Sequence, residues 1–264
     1  MENVEHWQEV LANPESTVFQ RYNCLGMLRT IGTEPAAKAL ELTYPTLGTS
    51  ELLRHDVMYC MGQMRQPNSL QFLLAHLQDD QELPIVRHEA CEALSNFFDI
   101  KDQILQHFDT ELLKPNLPQI LKSTLIVAKE KMISFSEESN FGKKYLGTIE
   151  PAEPFTLTEI KNLMTKFLGI SENAEELSIP GKFWELVEKL VLMDLEKFGE
   201  YNKHRLAYFF RDQVDELTDK NKPIEMLELL ICGKNRDVTT ALLRHEVAFI
   251  FGQVYDHAQR SLKT

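Results

Sequence analysis

A chain of 264 residues with 43% hydrophobic side chains can bury a substantial core, which excludes a disordered tail or a small disulfide scaffold. Its 28 basic and 40 acidic residues, a formal charge of -12, make it a poor match for nucleic acid or an anionic membrane and a better one for a cationic substrate. No segment approaches the roughly 18 apolar residues of a membrane span, the N-terminus has neither signal nor transit character, and Cys24, Cys60, Cys91 and Cys232 form no CxxC pair, so a reduced cytoplasmic protein is expected.

In chain order, the first helical segment of note is Phe19-Gln-Arg-Tyr-Asn-Cys-Leu-Gly-Met-Leu-Arg29. Thr49-Ser50 then reads as a helix start before Leu53-Arg-His-Asp-Val-Met-Tyr-Cys-Met-Gly62, whose apolar residues Leu53, Val57, Cys60, Met61 and Met64 recur every three or four positions. Met58, Met61 and Met64 read as core filling rather than as a cofactor box. Ser69 to Gln78 gives a partner helix closed by Asp79-Asp80, and Pro84 opens a second window, Val86-Arg-His-Glu-Ala-Cys-Glu-Ala-Leu-Ser95. Ser134-Phe-Ser-Glu-Glu-Ser-Asn-Phe-Gly142 and Pro151-Ala-Glu-Pro154 read as a polar linker, after which helices are predicted over Leu157–Leu168 and Phe183–Phe198. Tyr201-Asn-Lys-His-Arg-Leu-Ala-Tyr-Phe-Phe-Arg211 resembles the first segment, and Thr239-Thr240 opens a third window, Leu243-Arg-His-Glu-Val-Ala-Phe-Ile-Phe-Gly252.

The three windows align without a gap as apolar, Arg, His, acid, with a small residue six positions after the acid. His55 and His88 are 33 residues apart, the length of one helix-turn-helix unit. An all-α, HEAT-like α-solenoid in two pseudo-symmetric lobes follows: residues 1–99 form an N-terminal lobe, 100–195 a linker and helical insertion, and 196–264 an incomplete C-terminal lobe.

Stacked repeats place equal helix positions side by side, so His55, Asp56, His88 and Glu89 should share one ridge, with His245 and Glu246 brought towards it by the second half. Imidazole and carboxylate without patterned thiolate favour Fe, Mn or Zn. His55, His88 and Glu89 match the two-histidine, one-carboxylate count of a non-haem Fe(II) site, leaving Asp56 and Glu246 to bridge, to orient ligands or to hold a cationic substrate. A single Arg-His-Glu is usually a solvated Arg-acid pair beside a tolerated histidine, whereas three copies in one register point to function. His6, His76, His107, His204 and His257 lack the following acid and receive no role. Walker loops and GxSxG elbows are absent, and His55-Asp56 as a phosphohydrolase signature is undercut by the Glu at its two counterparts.

These windows, together with Tyr145-Leu-Gly-Thr-Ile-Glu-Pro-Ala-Glu-Pro154, resemble the deoxyhypusine hydroxylase family. The resemblance implies two HEAT lobes holding Fe(II), two ions, with dioxygen activated to hydroxylate the deoxyhypusine side chain of a hypusine-containing translation initiation factor. By position it gives His55, His88 and Glu89 to the first iron and makes His245 and Glu246 the start of the second site, with Asp56 and Glu246 implicated in gripping the substrate amine. Asp56 stands where the family has Glu. A fourth His-Glu step is expected about 33 residues after His245, beyond Thr264, so the ligands present support one ion and the second lobe is expected to be truncated. The alternatives are a metal-free scaffold binding a basic protein segment and an inactive family member.

Overall fold

The computed structural model describes residues 4–135, 149–171, 174–216, 221–232 and 239–261. Most of the expected polar linker, residues 136–148, lies outside the described residues, as do the side chains of Cys232 and His257. Among the described residues all regular structure is helical, and no helix is long and apolar enough to cross a membrane. The chain divides into two compact units, Met1–Pro151 and Ala152–Thr264.

In the first unit α1 (Val4–Ala12) is followed by α2 (Val18–Ile31), α3 (Glu34–Thr43), α4 (Glu51–Met64), α5 (Leu70–Gln78), α6 (Pro84–Leu94), α7 (Lys101–Leu112) and α8 (Gln119–Ser134). Local chemistry sets the ends. Thr17 and Gln20 form a capping box that starts α2, and Gly32 stops it in the left-handed conformation at φ 64°. Pro84 opens α6, where its missing N–H costs nothing. Helices α2, α4, α6 and α8 pack in sequence as one row, with α5 against α6 and α7 against α8. Leu25, Val57, Met58, Met61, Val86, Cys91, Leu94, Phe108 and Leu125 belong to a single buried core. Met58 and Met61 are thus core residues.

Two features tighten this row. Gly62 lets α4 approach α6 so closely that a Cβ there would sit 2.6 Å from Ala93 Cα. The arginines of the first two motifs clamp their helices to neighbouring hairpins: Arg54 Nη2 lies 2.6 Å from Glu82 Oε2 and its Nε donates to Tyr44 Oη at 2.9 Å. Arg87 donates to Leu77 O at 2.9 Å and pairs with Glu111 Oε2 at 3.1 Å. These arginines are therefore not partners of their own motif acids in solvent. Positions i and i+2 on a helix do not face each other, and both find buried or half-buried carboxylates elsewhere. His76, which the sequence left without a role, joins the first clamp through Glu82, its Nδ1 3.0 Å from Oε2.

Beyond α8, Gln63 holds the returning chain through its side-chain amide. Its Nε2 donates to Ile149 O at 3.0 Å, while Ile149 N donates to its Oε1 at 2.6 Å.

The second unit contains α9 (Leu157–Leu168), α10 (Pro180–Val191), α11 (Leu195–Phe198), α12 (Glu200–Glu216), α13 (Asn221–Cys232) and α14 (Ala241–Ser261). Within it α12, α13 and α14 pack on one another, repeating the order of α2, α3 and α4. The single helix expected over Phe183–Phe198 is instead two, α10 and α11. Lys203 from α12 donates its ammonium to Leu190 O, at 3.2 Å, and to Val191 O, satisfying carbonyls at the end of α10. Asp194 then takes an extended conformation before α11 begins.

Candidate functional site

The acid-bearing face of α4 meets that of α6 in the first unit. His55 Nε2 lies 3.1 Å from Glu89 Oε2, His88 Nε2 lies 3.9 Å from the same oxygen, and the two imidazole centroids are 6.1 Å apart. Donor atoms about 2.1 Å from one ion stand about 3 Å apart at right angles and about 4 Å apart when spread wide, so the Glu89 carboxylate stands from each imidazole nitrogen at a separation that two ligands of one cation can have. Two imidazoles and a carboxylate, with Cys24, Cys60 and Cys91 present as buried thiols, are a donor set suited to iron.

Each imidazole is held from behind. His55 Nδ1 is 2.7 Å from Asp56 Oδ1, an arrangement of carboxylate and histidine that orients a ligand ring. His88 is fully buried and its Nδ1 is 2.8 Å from Thr124 Oγ1 on α8, with Glu92 Oε1 at 3.8 Å. Burial opposes charge on His55, but the Glu89 carboxylate and the hydrogen bonds to Asp56 and Glu89 outweigh it and raise its pKa to about 10. Without a cation, the imidazolium takes the cation's place between two carboxylates.

A second layer of buried charge lies below. Lys131 is fully buried and donates to Ser95 Oγ at 3.0 Å and Asn96 Oδ1 at 2.6 Å. Desolvation pulls its pKa down to about 8 against the nearby charges of Glu92, Glu150 and Glu89. Neither Thr124 nor Lys131 carries a motif. The available clue to Thr124 was spacing, since it lies 36 residues after His88, about one repeat on.

His245 and Glu246 stand on α14 of the second unit. The His245 side chain is 40% exposed and its Nε2 lies 4.0 Å from Glu246 Oε1. Glu246 is buried and accepts a hydrogen bond from the buried phenol of Tyr208 on α12, at 2.8 Å. Tyr208 is a further residue that motif reading passed over.

Fold and site together define a helical-repeat protein of the HEAT type carrying a buried imidazole-carboxylate cluster. A scan against protein-family models finds no match. Deoxyhypusine hydroxylase of Drosophila pseudoobscura pseudoobscura is 37% identical over 260 residues, covering 97% of this chain and 71% of the relative. The Aspergillus fumigatus enzyme of the same name is 28% identical over 267 residues, covering 94% and 69%. The solved structure of human deoxyhypusine hydroxylase in complex with glycerol matches with a TM-score of 0.62 over 96% of this chain and 85% of that one, at 20% identity, which bears on the fold. The chain belongs to the deoxyhypusine hydroxylase family, as its repeated motif implied.

Proposed function

We propose that this protein hydroxylates the deoxyhypusine side chain of a translation initiation factor in the cytoplasm, using Fe(II) and dioxygen. The observation that carries the reading is the Glu89 carboxylate standing 3.1 Å from His55 Nε2 and 3.9 Å from His88 Nε2, in a chain of this family. Bound iron would supply the activation of dioxygen for insertion into a C–H bond. His245 contributes to a second iron as His55 does to the first, with Glu246 beside it. The first cluster lies in the block 1–99, with Thr124 and Lys131 of the block 100–195 behind it, and His245 and Glu246 belong to the block 196–264.

The remaining carboxylates handle the substrate. Asp56 keeps one oxygen on His55, and its side chain, 26% exposed, can offer the other to the substrate ammonium as a charge-assisted hydrogen bond. Glu246 plays the matching role, its carboxylate held by Tyr208. The net charge of -12 favours approach of a cationic segment.

Elemental analysis of protein from iron-supplemented cells, beside His88→Ala, tests the metal. Bound iron that disappears in the variant supports the reading, and a protein without iron that still captures a lysine-rich peptide would mark a scaffold instead. Conversion of a deoxyhypusine-bearing factor under dioxygen tests the reaction.

A further inference from the structure

Hydrogen counting around Thr124 fixes something that residue identities alone leave open, namely which nitrogen of His88 carries the proton. The Thr124 hydroxyl lies 2.8 Å from Ile120 O and 2.8 Å from His88 Nδ1. A hydroxyl has one hydrogen to give. The carbonyl of Ile120 can only accept, and two oxygens at that separation with no hydrogen between them repel, so the hydroxyl hydrogen points to Ile120 O. The contact with His88 then requires its own hydrogen, which only Nδ1 can supply. In neutral His88, Nδ1 is the N–H and Nε2 carries the lone pair.

We propose that Thr124 is a positioning residue that selects the Nδ1–H tautomer of His88 and so presents Nε2 to the metal. The claim deepens the metal reading of the same cluster and rests on it for its functional meaning. Both residues are fully buried, so the hydroxyl works where water does not readily replace it. The two histidines are therefore oriented differently: His55 by the carboxylate of Asp56, and His88 by a neutral hydroxyl anchored to its own helix. Glu92 Oε1 stands 3.8 Å from His88 Nδ1, beyond hydrogen-bond distance, and a carboxylate in place of the hydroxyl would add charge to a pocket already holding Glu89 and Glu92.

The test uses the full chain, metal-free and 15N-labelled, with long-range proton-nitrogen correlations of the imidazoles, and His88→Ala to assign the signal. Wild type and Thr124→Ser should show His88 with hydrogen on Nδ1, and Thr124→Val should lose that preference. Co(II) titrations should find Thr124→Ser as tight as wild type and Thr124→Val weaker by about 10- to 100-fold, the range for loss of a partner behind a metal ligand. A wild-type signal with hydrogen on Nε2, or Thr124→Val binding Co(II) as tightly as wild type, overturns the proposal. If His88→Ala still binds Co(II) as wild type does, the metal reading fails, and the tautomer stands or falls on the ring correlations. Should Thr124→Val not fold, the wild-type and Thr124→Ser spectra decide the matter.

Discussion

Replacing Gly62 by alanine should push α4 away from α6 and disturb the site two helical turns away. The added Cβ would lie 2.6 Å from Ala93 Cα and 2.7 Å from Ala93 Cβ, whereas carbon atoms in good contact are about 3.5 Å apart or more. No flexible side-chain end can yield there, so the helices must separate locally by about 1 Å. Overpacking of this kind costs about 1–3 kcal/mol, against about 0.5–1 kcal/mol gained by removing a helical glycine. The expected net change is a loss of about 1–2 kcal/mol. His55 and Glu89 ride on the same two helices, so their 3.1 Å contact should open and metal affinity should drop. Gly252, at the same motif position, meets nothing within 4 Å among the described residues, so Gly252→Ala should instead stabilise by about 0.5–1 kcal/mol. Urea midpoints followed by helical circular dichroism, with Co(II) titration in parallel, check both. Equal shifts of the two variants in the same direction would refute the packing argument.

Burial lowers the pKa of His204 from 6.5 to about 4, so the unfolded chain binds its proton first and folded stability falls as pH drops from about 6.5 towards 4. His204→Leu should flatten that acid limb by up to about 3 kcal/mol, and unchanged pH dependence of the urea midpoint would remove His204 as the cause. His55, with its pKa raised from 6.5 to about 10, behaves in the opposite sense. Its contribution to metal-free stability is complete below about 6.5 and is lost as pH rises through about 10. A metal must displace that proton, so Co(II) addition to weakly buffered protein at neutral pH should release acid and the apparent affinity should climb with pH. Absence of proton release would mean His55 is not a ligand. Lys131→Met strands Ser95, Asn96 and the Glu92–Glu150 charges, and should destabilise by about 3 kcal/mol, measured as a lowered urea midpoint.

What could be read from the sequence was whatever depended on neighbours along the chain. Helix α9 was legible to the residue, Leu157–Leu168, because Thr156 and Glu159 form a capping box at its start and Gly169 ends it at φ 71°. That His55, His88 and Glu89 would share one ridge was legible because repetition turned a common tripeptide into a register. The break between α10 and α11 was not, since its cause is a lysine from α12 that reaches back to carbonyls 12 and 13 residues earlier. Thr124 was equally silent: a threonine in an apolar helix looks like any other until the histidine it supports is folded against it. Arg54 and Arg87 could be counted but not aimed, because their partners, Glu82 and Glu111, belong to turns and helices without a shared pattern.

The pairing of Gln63 with Ile149 bears on how this region can vary. A side-chain amide that both donates to and accepts from one residue's main chain acts as a one-residue strand, and the contact is blind to what residue 149 is. The returning segment is thereby registered on α4 by its peptide groups, in addition to the burial of the Ile149 and Ala152 side chains. Proline alone is barred from position 149 by this contact, since it has no N–H to give, and the contact itself asks for a particular side chain only at the glutamine on the helix.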